Sequence, residues 1–411
     1  MPAMSPGPQD VCIVGGGPAG MILALLLARQ GIPVTVLEAA GDFQRNFRGD
    51  TLHPAIMELL AGLGLAAPVL GLPHTRAHQA RLVRAGDVQV IADFSRLRTP
   101  YPFLTVMAQS RFLTFLAAEL GRFPHARVLM GARVEGLLEE GGEVRGVRYR
   151  RAGALHSLPA ALTVGADGRF SKVRDLAGLR LRRLAPGQDV LWFSLPRHAD
   201  DPGGTIDLHL RGEHCIVTTD HGERWQVGYS IRKGGYAEAR AAGVAPIREA
   251  VAATIPWLAG RVQALTEWRD LHLLAVEVAR VRRWWRPGLL LIGDAAHPIS
   301  PVGGMGINMA VQDAVAAANV LCGPLRSGRL RPRHLARVQR QRAWQIAALQ
   351  TQQVIEEREV EGLDGAQPLH VPSLLLRLLQ GVPGLQGVPG YVTAYGLRPE
   401  RLRARWRTAR L

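Results

Sequence analysis

Three glycine-rich segments of this chain have residue types and spacing suited to holding a nucleotide. The first, Gly15-Gly16-Gly17-Pro18-Ala19-Gly20, fits G-x-G-x-x-G and lies between a β-branched run and an apolar helical stretch. In that setting Gly15 permits the tight turn, Gly17 lets a pyrophosphate approach the backbone, and Gly20 allows helix and strand to touch. The unpaired N–H groups and positive potential of the helix N-terminus favour phosphate. Glu38, eighteen residues beyond Gly20, ends the next β-type run. Its carboxylate can accept both hydroxyls of an unphosphorylated ribose and repels a 2′-phosphate. Motif and context together point to a dinucleotide; the plainer alternative is a glycine turn and a surface glutamate.

The second segment, Gly293-Asp294-Ala295-Ala296-His297-Pro298, directly follows the apolar run Leu289-Leu290-Leu291-Ile292. A carboxylate at a strand's C-terminal end lies in the crevice where α/β sheets bind ligands, and can hold sugar hydroxyls. It leads into Pro301-Val302-Gly303-Gly304-Met305-Gly306-Ile307-Asn308, whose glycines let a flat ring lie against the backbone at a helix start. The third segment, Gly165-Ala166-Asp167-Gly168-Arg169-Phe170-Ser171-Lys172-Val173-Arg174, again sits between a buried-type strand and a helix. By itself Asp-Gly is only a turn.

Elements placed around these segments give a βαβ unit over residues 10–37, with an expected right-handed crossover. Its helix, residues 18–30, is apolar nearly all round and should be buried on every side. A second helix follows Thr51, a third covers 111–120, strands fill 127–150, and short strands alternate over 190–231. The apolar strand 288–292 precedes a long helix over about 308–321, and an Arg- and Gln-rich helical tail spans 331–379. The expected fold class is therefore α/β: a Rossmann-like domain with an inserted, mainly antiparallel β domain and a C-terminal helical region. The boundaries read as 1–75, 100–180 and 270–325 for the discontinuous first domain, 76–99 and 181–269 for the insertion, and 326–411 for the helical region.

Composition narrows the function classes. The 411 residues are 47% hydrophobic and 20% charged, which is ordinary for a globular chain. The formal charge of +16 comes almost wholly from arginine, since Lys172 and Lys233 are the only lysines. Those arginines are scattered through every segment, the pattern of a GC-rich genome and not of a nucleic-acid-binding tail. Cys12, Cys215 and Cys322 sit far apart in apolar contexts, with neither disulfide nor metal spacing, which suits a cytoplasmic protein. The strongest apolar run, 21–28, is too short to span a bilayer. Residues 1–9 lack the basic and apolar regions of a signal peptide.

Taken together, GGGPAG with Glu38, GADGRFSKVR and GDAAHPISPVGGMGIN resemble, in order and spacing, the three fingerprints of the single-component FAD-dependent aromatic hydroxylases. This is the p-hydroxybenzoate hydroxylase fold, and the resemblance covers residues 10–325. It implies that Gly15, Gly17, Ala19 and Gly20 line the FAD pyrophosphate and that Glu38 binds the adenosine ribose. Arg48, in FRGDTLHP, matches an arginine reaching the FAD phosphate or ribityl chain, and Arg111, in QSRFLTFL, an arginine on the helix after the first insertion. Val134 matches the position whose backbone meets adenine. Asp294 would hold the ribityl chain, while Gly304, Gly306, Ile307 and Asn308 would face the flavin pyrimidine edge. Asp167 resembles an acidic residue used structurally near FAD and the reduced nicotinamide.

The implied reaction is a monooxygenation. NADH or NADPH, binding transiently, reduces the flavin; O₂ adds to form a C4a-hydroperoxide, which hydroxylates an aromatic or similarly electron-rich small molecule. The expected state is a monomer or homodimer without a metal. Two competing readings are a flavin reductase or dehydrogenase of the same fold acting on a lipid or prenyl chain, and a non-catalytic FAD-binding protein. The W-x-W-x-I-P pattern of flavin halogenases is absent, and there is no second complete dinucleotide motif. No residue is marked as the base that ionises a phenol. His297 and His53 read as structural, and Trp284-Trp285 as packing. The alternation Trp225, Val227, Tyr229, Ile231 suits a substrate wall and a sheet core equally.

Overall fold

Strands VCIV (Val11–Val14), VTVL (Val34–Leu37) and LTVG (Leu162–Gly165) are buried at every position. Such runs fit the centre of a parallel sheet covered on both faces. In the computed structural model, which describes residues 10–44, 49–84, 86–185, 188–212, 214–361 and 387–403, they pair in parallel at the middle of a six-stranded sheet. Leu289–Leu291 and Ala126–Leu129 extend this sheet in parallel on either side, and Trp285–Arg286 adds an antiparallel edge. Helix Pro18–Ala28 makes the first crossover, and all its residues from Ala19 to Ala28 are buried, as an all-round apolar sequence requires.

The inserted sheet has seven strands, in the order His272–Leu274, Asp189–Pro196, Arg224–Ile231, His214–Asp220, Thr205–Arg211, Gln79–Arg84, Asp87–Asp93. All its pairings are antiparallel except that of Thr205–Arg211 with Gln79–Arg84, which joins the two parts of the insertion. Its outer face settles the alternation left open above. Trp225, Val227, Tyr229 and Ile231 are buried with Leu191, Phe193 and Leu195 against Ile247 and Val251 of helix Ala245–Thr254. They form a core, and the opposite face of the same strands is left for a ligand.

Two boundaries differ from the sequence reading. His272–Leu274 pairs with Asp189–Pro196 in the inserted sheet, so the return to the first domain comes after it. The long helix runs over Met305–Arg326 and not from about 308, because Gly304 (φ +62°) turns the chain into it one turn earlier. This helix has the length and apolarity to cross a membrane, but 89% of its most apolar stretch is buried inside the fold. Within the expected tail a helix covers Pro332–Glu361, and a separate helix follows at Val388–Tyr395. The rest of the expected tail, residues 362–379, lies outside the described residues.

Candidate active site

The C-terminal ends of the central strands open into a cavity of about 1890 Å³ that continues to the inner face of the inserted sheet. At its nucleotide-type end the first and third glycine segments touch. Ala166 N–H donates to Val14 O at 2.7 Å, and a Cβ on Gly15 (φ +106°) would lie 2.4 Å from Ala166 O. Gly15 is thus required by both conformation and contact. A Cβ on Gly20 would lie 2.0 Å from Gly15 O, so Gly20 sets the helix–strand approach and does not line the cavity. Gly17 lines it, with no atom within 4 Å of where its Cβ would project.

Glu38 is 5% exposed, and its carboxylate accepts Gly16 N–H at 2.8 Å and Ala40 N–H at 2.9 Å. Two backbone donors fix both carboxylate oxygens at the cavity wall. This open glycine backbone, a carboxylate held at the sheet edge and an uncapped helix start are what an FAD adenosine and pyrophosphate need.

Across the cavity Asp294 faces Arg169 at 3.6 Å, and Arg169 is anchored to Ala275 O at 2.6 Å. Asp167 also lines the cavity, but its carboxylate accepts Ser171 Oγ–H at 2.6 Å and Val173 N–H at 3.0 Å, holding the start of helix Lys172–Leu176. Burial raises its pKa and these donors oppose the rise. Gly303, Gly304 and Gly306 border the cavity at the start of helix Met305–Arg326.

His53 sits behind that loop, fully buried, with Nε2 3.0 Å from Gly304 O and Nδ1 2.9 Å from Thr393 O. Burial pushes its pKa down to about 4 against the pull of the two carbonyls. The neutral ring can donate to only one of them.

Under the Gly293-Asp294 turn lies a buried ionic cluster. Asp313 Oδ2 accepts Gly293 N–H at 2.9 Å and meets His297 Nε2 at 2.5 Å; Asp313 Oδ1 accepts Arg342 Nε–H at 2.8 Å. Burial alone would raise the Asp313 pKa, but His297 and Arg342 hold it down at about 2. Arg342 is fully buried, and its other guanidinium N–H groups reach Gln312 and Gln345. His297, packed at a tilt against the Trp284 ring, is therefore structural.

The family model for an FAD binding domain matches residues 9–352. The chain belongs to the single-component FAD-dependent aromatic monooxygenases. It is similar to 6-methylpretetramide 4-monooxygenase of Streptomyces rimosus, at 39% identity over 355 residues, covering 85% of this chain and 84% of that protein. It is also similar to 3-demethoxyubiquinol 3-hydroxylase of Escherichia coli (strain K12), at 27% identity over 328 residues, covering 77% and 81%. Among solved structures, p-nitrophenol 4-monooxygenase PnpA from Pseudomonas putida DLL-E4 superposes with a TM-score of 0.77 at 20% identity, covering 95% of this chain and 99% of that one. That likeness speaks for the fold.

The monooxygenase brings Gly15, Gly17, Ala19, Glu38, Val134, Asp167, Asp294, Gly304, Gly306 and Ile307 together at the cavity. Arg48 lies outside the described residues. Two expectations need correction at the level of the side chain. Arg111 is exposed and donates to Pro73 O at 2.8 Å, away from the cavity lining, because its helix Gln109–Leu120 turns it outward. Asn308 is fully buried and donates to Ala394 O at 3.1 Å, so its side chain ties down helix Val388–Tyr395 and does not face the cavity.

The sequence reading missed Asp313 and Arg342. Asp313 did carry a signal, as the only acidic or basic side chain between residues 305 and 325. The sheet wall was also missed. Trp192, Leu208, Val217, Gln226, Gly228 and Ser230 line the cavity from four successive strands, on the face opposite Trp225, Val227, Tyr229 and Ile231.

Proposed function

We propose that this monooxygenase hydroxylates a flat, multi-ring phenol, with NADH or NADPH as the transient reductant. The observation that carries this reading is the single cavity of about 1890 Å³ joining the nucleotide-type crevice to the apolar inner face of the inserted sheet. Small-molecule sites commonly occupy about 300–1,000 Å³, so this space suits a dinucleotide together with an extended second ligand. The named substrate of the Streptomyces rimosus relative points the same way.

Bound FAD would supply the redox chemistry, taking reducing equivalents from the nicotinamide and delivering one oxygen atom. The chain's own residues bind and orient. Gly15, Gly17, Ala19 and the start of helix Pro18–Ala28 receive the pyrophosphate, Glu38 the adenosine ribose, Val134 the adenine and Asp294 the ribityl chain. The family resemblance would add Arg48 for the phosphate or ribityl chain. Gly304, Gly306 and Ile307 seat the ring, where the N-terminus of helix Met305–Arg326 stabilises negative charge. Asn308 contributes through its backbone, and Gly20, Asp167 and the Asp313 cluster hold the turns in place. Trp192, Leu208 and Val217 form an apolar wall that excludes water from the oxygen-transfer step.

The test is a panel of one-, two- and three-ring phenols with the flavin-loaded protein. NADH and NADPH oxidation and product mass are followed in air and without oxygen. Gain of one oxygen atom, favouring the larger rings, is the expected result. Turnover that persists without oxygen and adds no mass would replace this reading with a reductase. Preference for single-ring phenols would remove the multi-ring assignment.

A further inference from the structure

We propose that Asp50 is the base that ionises the substrate's phenolic hydroxyl, with His221 as its positioning partner; this rests on the function proposed above. The two residues come from different domains. Asp50 directly precedes strand Thr51–Leu52 of the cofactor domain, whereas His221 follows strand His214–Asp220 of the inserted sheet. The fold brings Asp50 Oδ2 to 3.3 Å from His221 Nε2, with side chains only 9% and 17% exposed, and both residues line the cavity.

Nε2 is buried without an aligned hydrogen bond, so the pair is close yet unsatisfied, as a site waiting for a proton or a ligand would be. The Gln226 side chain and the Gln109 backbone N–H donate to the Asp50 carboxylate, while Met107 N–H donates to Asp50 O at 2.9 Å. Adjacent Gly49 approaches Ile307, at the proposed ring seat, to within 3.4 Å of its would-be Cβ. Asp50 therefore stands where the cofactor end meets the substrate wall.

Burial pushes Asp50 up to about 7 and His221 down to about 4. A carboxylate poised near neutrality is matched to proton abstraction from a phenol, and the neutral imidazole leaves Nε2 free to accept from the carboxylic acid that results. The charges that act on His221 are those of Asp220, itself 3.0 Å from Arg197, and of Arg111, which acts from outside the cavity lining.

In the step, the phenolic O–H bond breaks and its electron pair stays on oxygen. The proton bonds to Asp50, and the phenolate enriches the ring carbons that receive oxygen. No redox change accompanies the transfer, and the proton leaves to solvent as product departs.

The experiment uses the flavin-loaded enzyme and 2-hydroxyanthraquinone, whose phenol and phenolate differ in visible absorption. Bound at pH 7, it should show the phenolate spectrum in wild type and the phenol spectrum in Asp50→Asn, with Asp50→Glu restoring part of the phenolate. For hydroxylation, kcat/KM should rise with pH through about 7 in wild type, and Asp50→Asn should lose that limb and about 10²- to 10⁴-fold in rate.

Gln226→Leu provides a second variant that keeps the carboxylate but removes a donor to its charged form, so the limb should move to higher pH. An unmoved limb in Gln226→Leu, or equal phenolate in Asp50→Asn, would overturn the assignment. If wild type adds oxygen to no phenol at all, the functional reading falls and takes this proposal with it. If wild type hydroxylates and Asp50→Asn does so with an unchanged pH profile, the base assignment alone falls.

Discussion

The two ends of the cavity are built on different principles. At the cofactor end, turns and helix starts present backbone, and three carboxylates are held by protein hydrogen bonds: Glu38 by Gly16 and Ala40, Asp167 by Ser171 and Val173, Asp313 by Gly293, His297 and Arg342. At the substrate end, the wall is a sheet face of mostly apolar side chains, assembled from strands of which Gln79–Arg84 and Thr205–Arg211 are more than a hundred residues apart. One end positions a fixed ligand through satisfied polar groups. The other offers a surface that single substitutions can reshape without disturbing the fold. Stability and cofactor affinity should therefore respond at the first end, and substrate choice at the second.

The largest effect is expected beneath the Gly293-Asp294 turn. Arg342→Met leaves a buried carboxylate short of one partner, and breaking a buried pair in this way costs about 3–5 kcal/mol. Urea unfolding at neutral pH checks this. The same cluster predicts acid sensitivity. The folded-state pKa of Asp313 is depressed from 3.8 to about 2, so its contribution is present above the unfolded value and is lost as pH falls through about 2. Wild type should lose stability over pH 4 to 2 more steeply than Asp313→Asn; parallel curves would show that the cluster does not govern acid unfolding.

Two glycine variants sharpen the contrast between fold and ligand contacts. Gly15→Val combines positive φ with a backbone collision and should cost about 2–4 kcal/mol as well as cofactor. A Cβ on Gly306 meets no protein atom within 4 Å, so Gly306→Val should keep stability within about 1 kcal/mol yet lose flavin or slow its reduction. Circular dichroism, flavin occupancy and anaerobic reduction rates separate the cases. A stable Gly306→Val with normal occupancy and reduction would return this loop to a plain helix start.

Glu38→Arg removes the acceptor of two backbone N–H groups and of the proposed ribose contact. FAD affinity should fall by about 1.5–3 kcal/mol, or roughly 10- to 150-fold. Titration of the flavin-depleted protein with FAD measures it, and unchanged affinity would make Glu38 a turn residue only.

The smallest effect belongs to the sheet wall. Trp192→Ala should leave FAD occupancy unchanged and alter the ratio of kcat/KM between three-ring and one-ring phenols by about 1–3 kcal/mol, as loss of pocket contacts does. A loss of FAD instead would mean that the two ends are not separable.

The division also explains what could be read before folding. GGGPAG, Glu38 and the Gly293-Asp294 turn were legible because each is a local geometry written in consecutive residues: a glycine for a turn, a carboxylate at a strand end; the long helix was legible too, though its start was set one turn late. The Rossmann-like sheet was legible for the same reason, since strands buried on both faces show as unbroken apolar runs.

What only the tertiary structure decided depends on pairing between distant segments. The alternation of Trp225, Val227, Tyr229 and Ile231 fixes two faces of a strand, but whether that face meets helix Ala245–Thr254 or a ligand depends on which side the insertion packs against the first domain. Arg111 and Asn308 carry the family pattern, yet Pro73 and Ala394 claim their side chains. Arg342 was one arginine among many until the fold buried it against Asp313. Asp50 and His221 lie 171 residues apart and belong to no common motif. Their meeting is set by the packing of two domains, an interaction that no local stretch of sequence encodes.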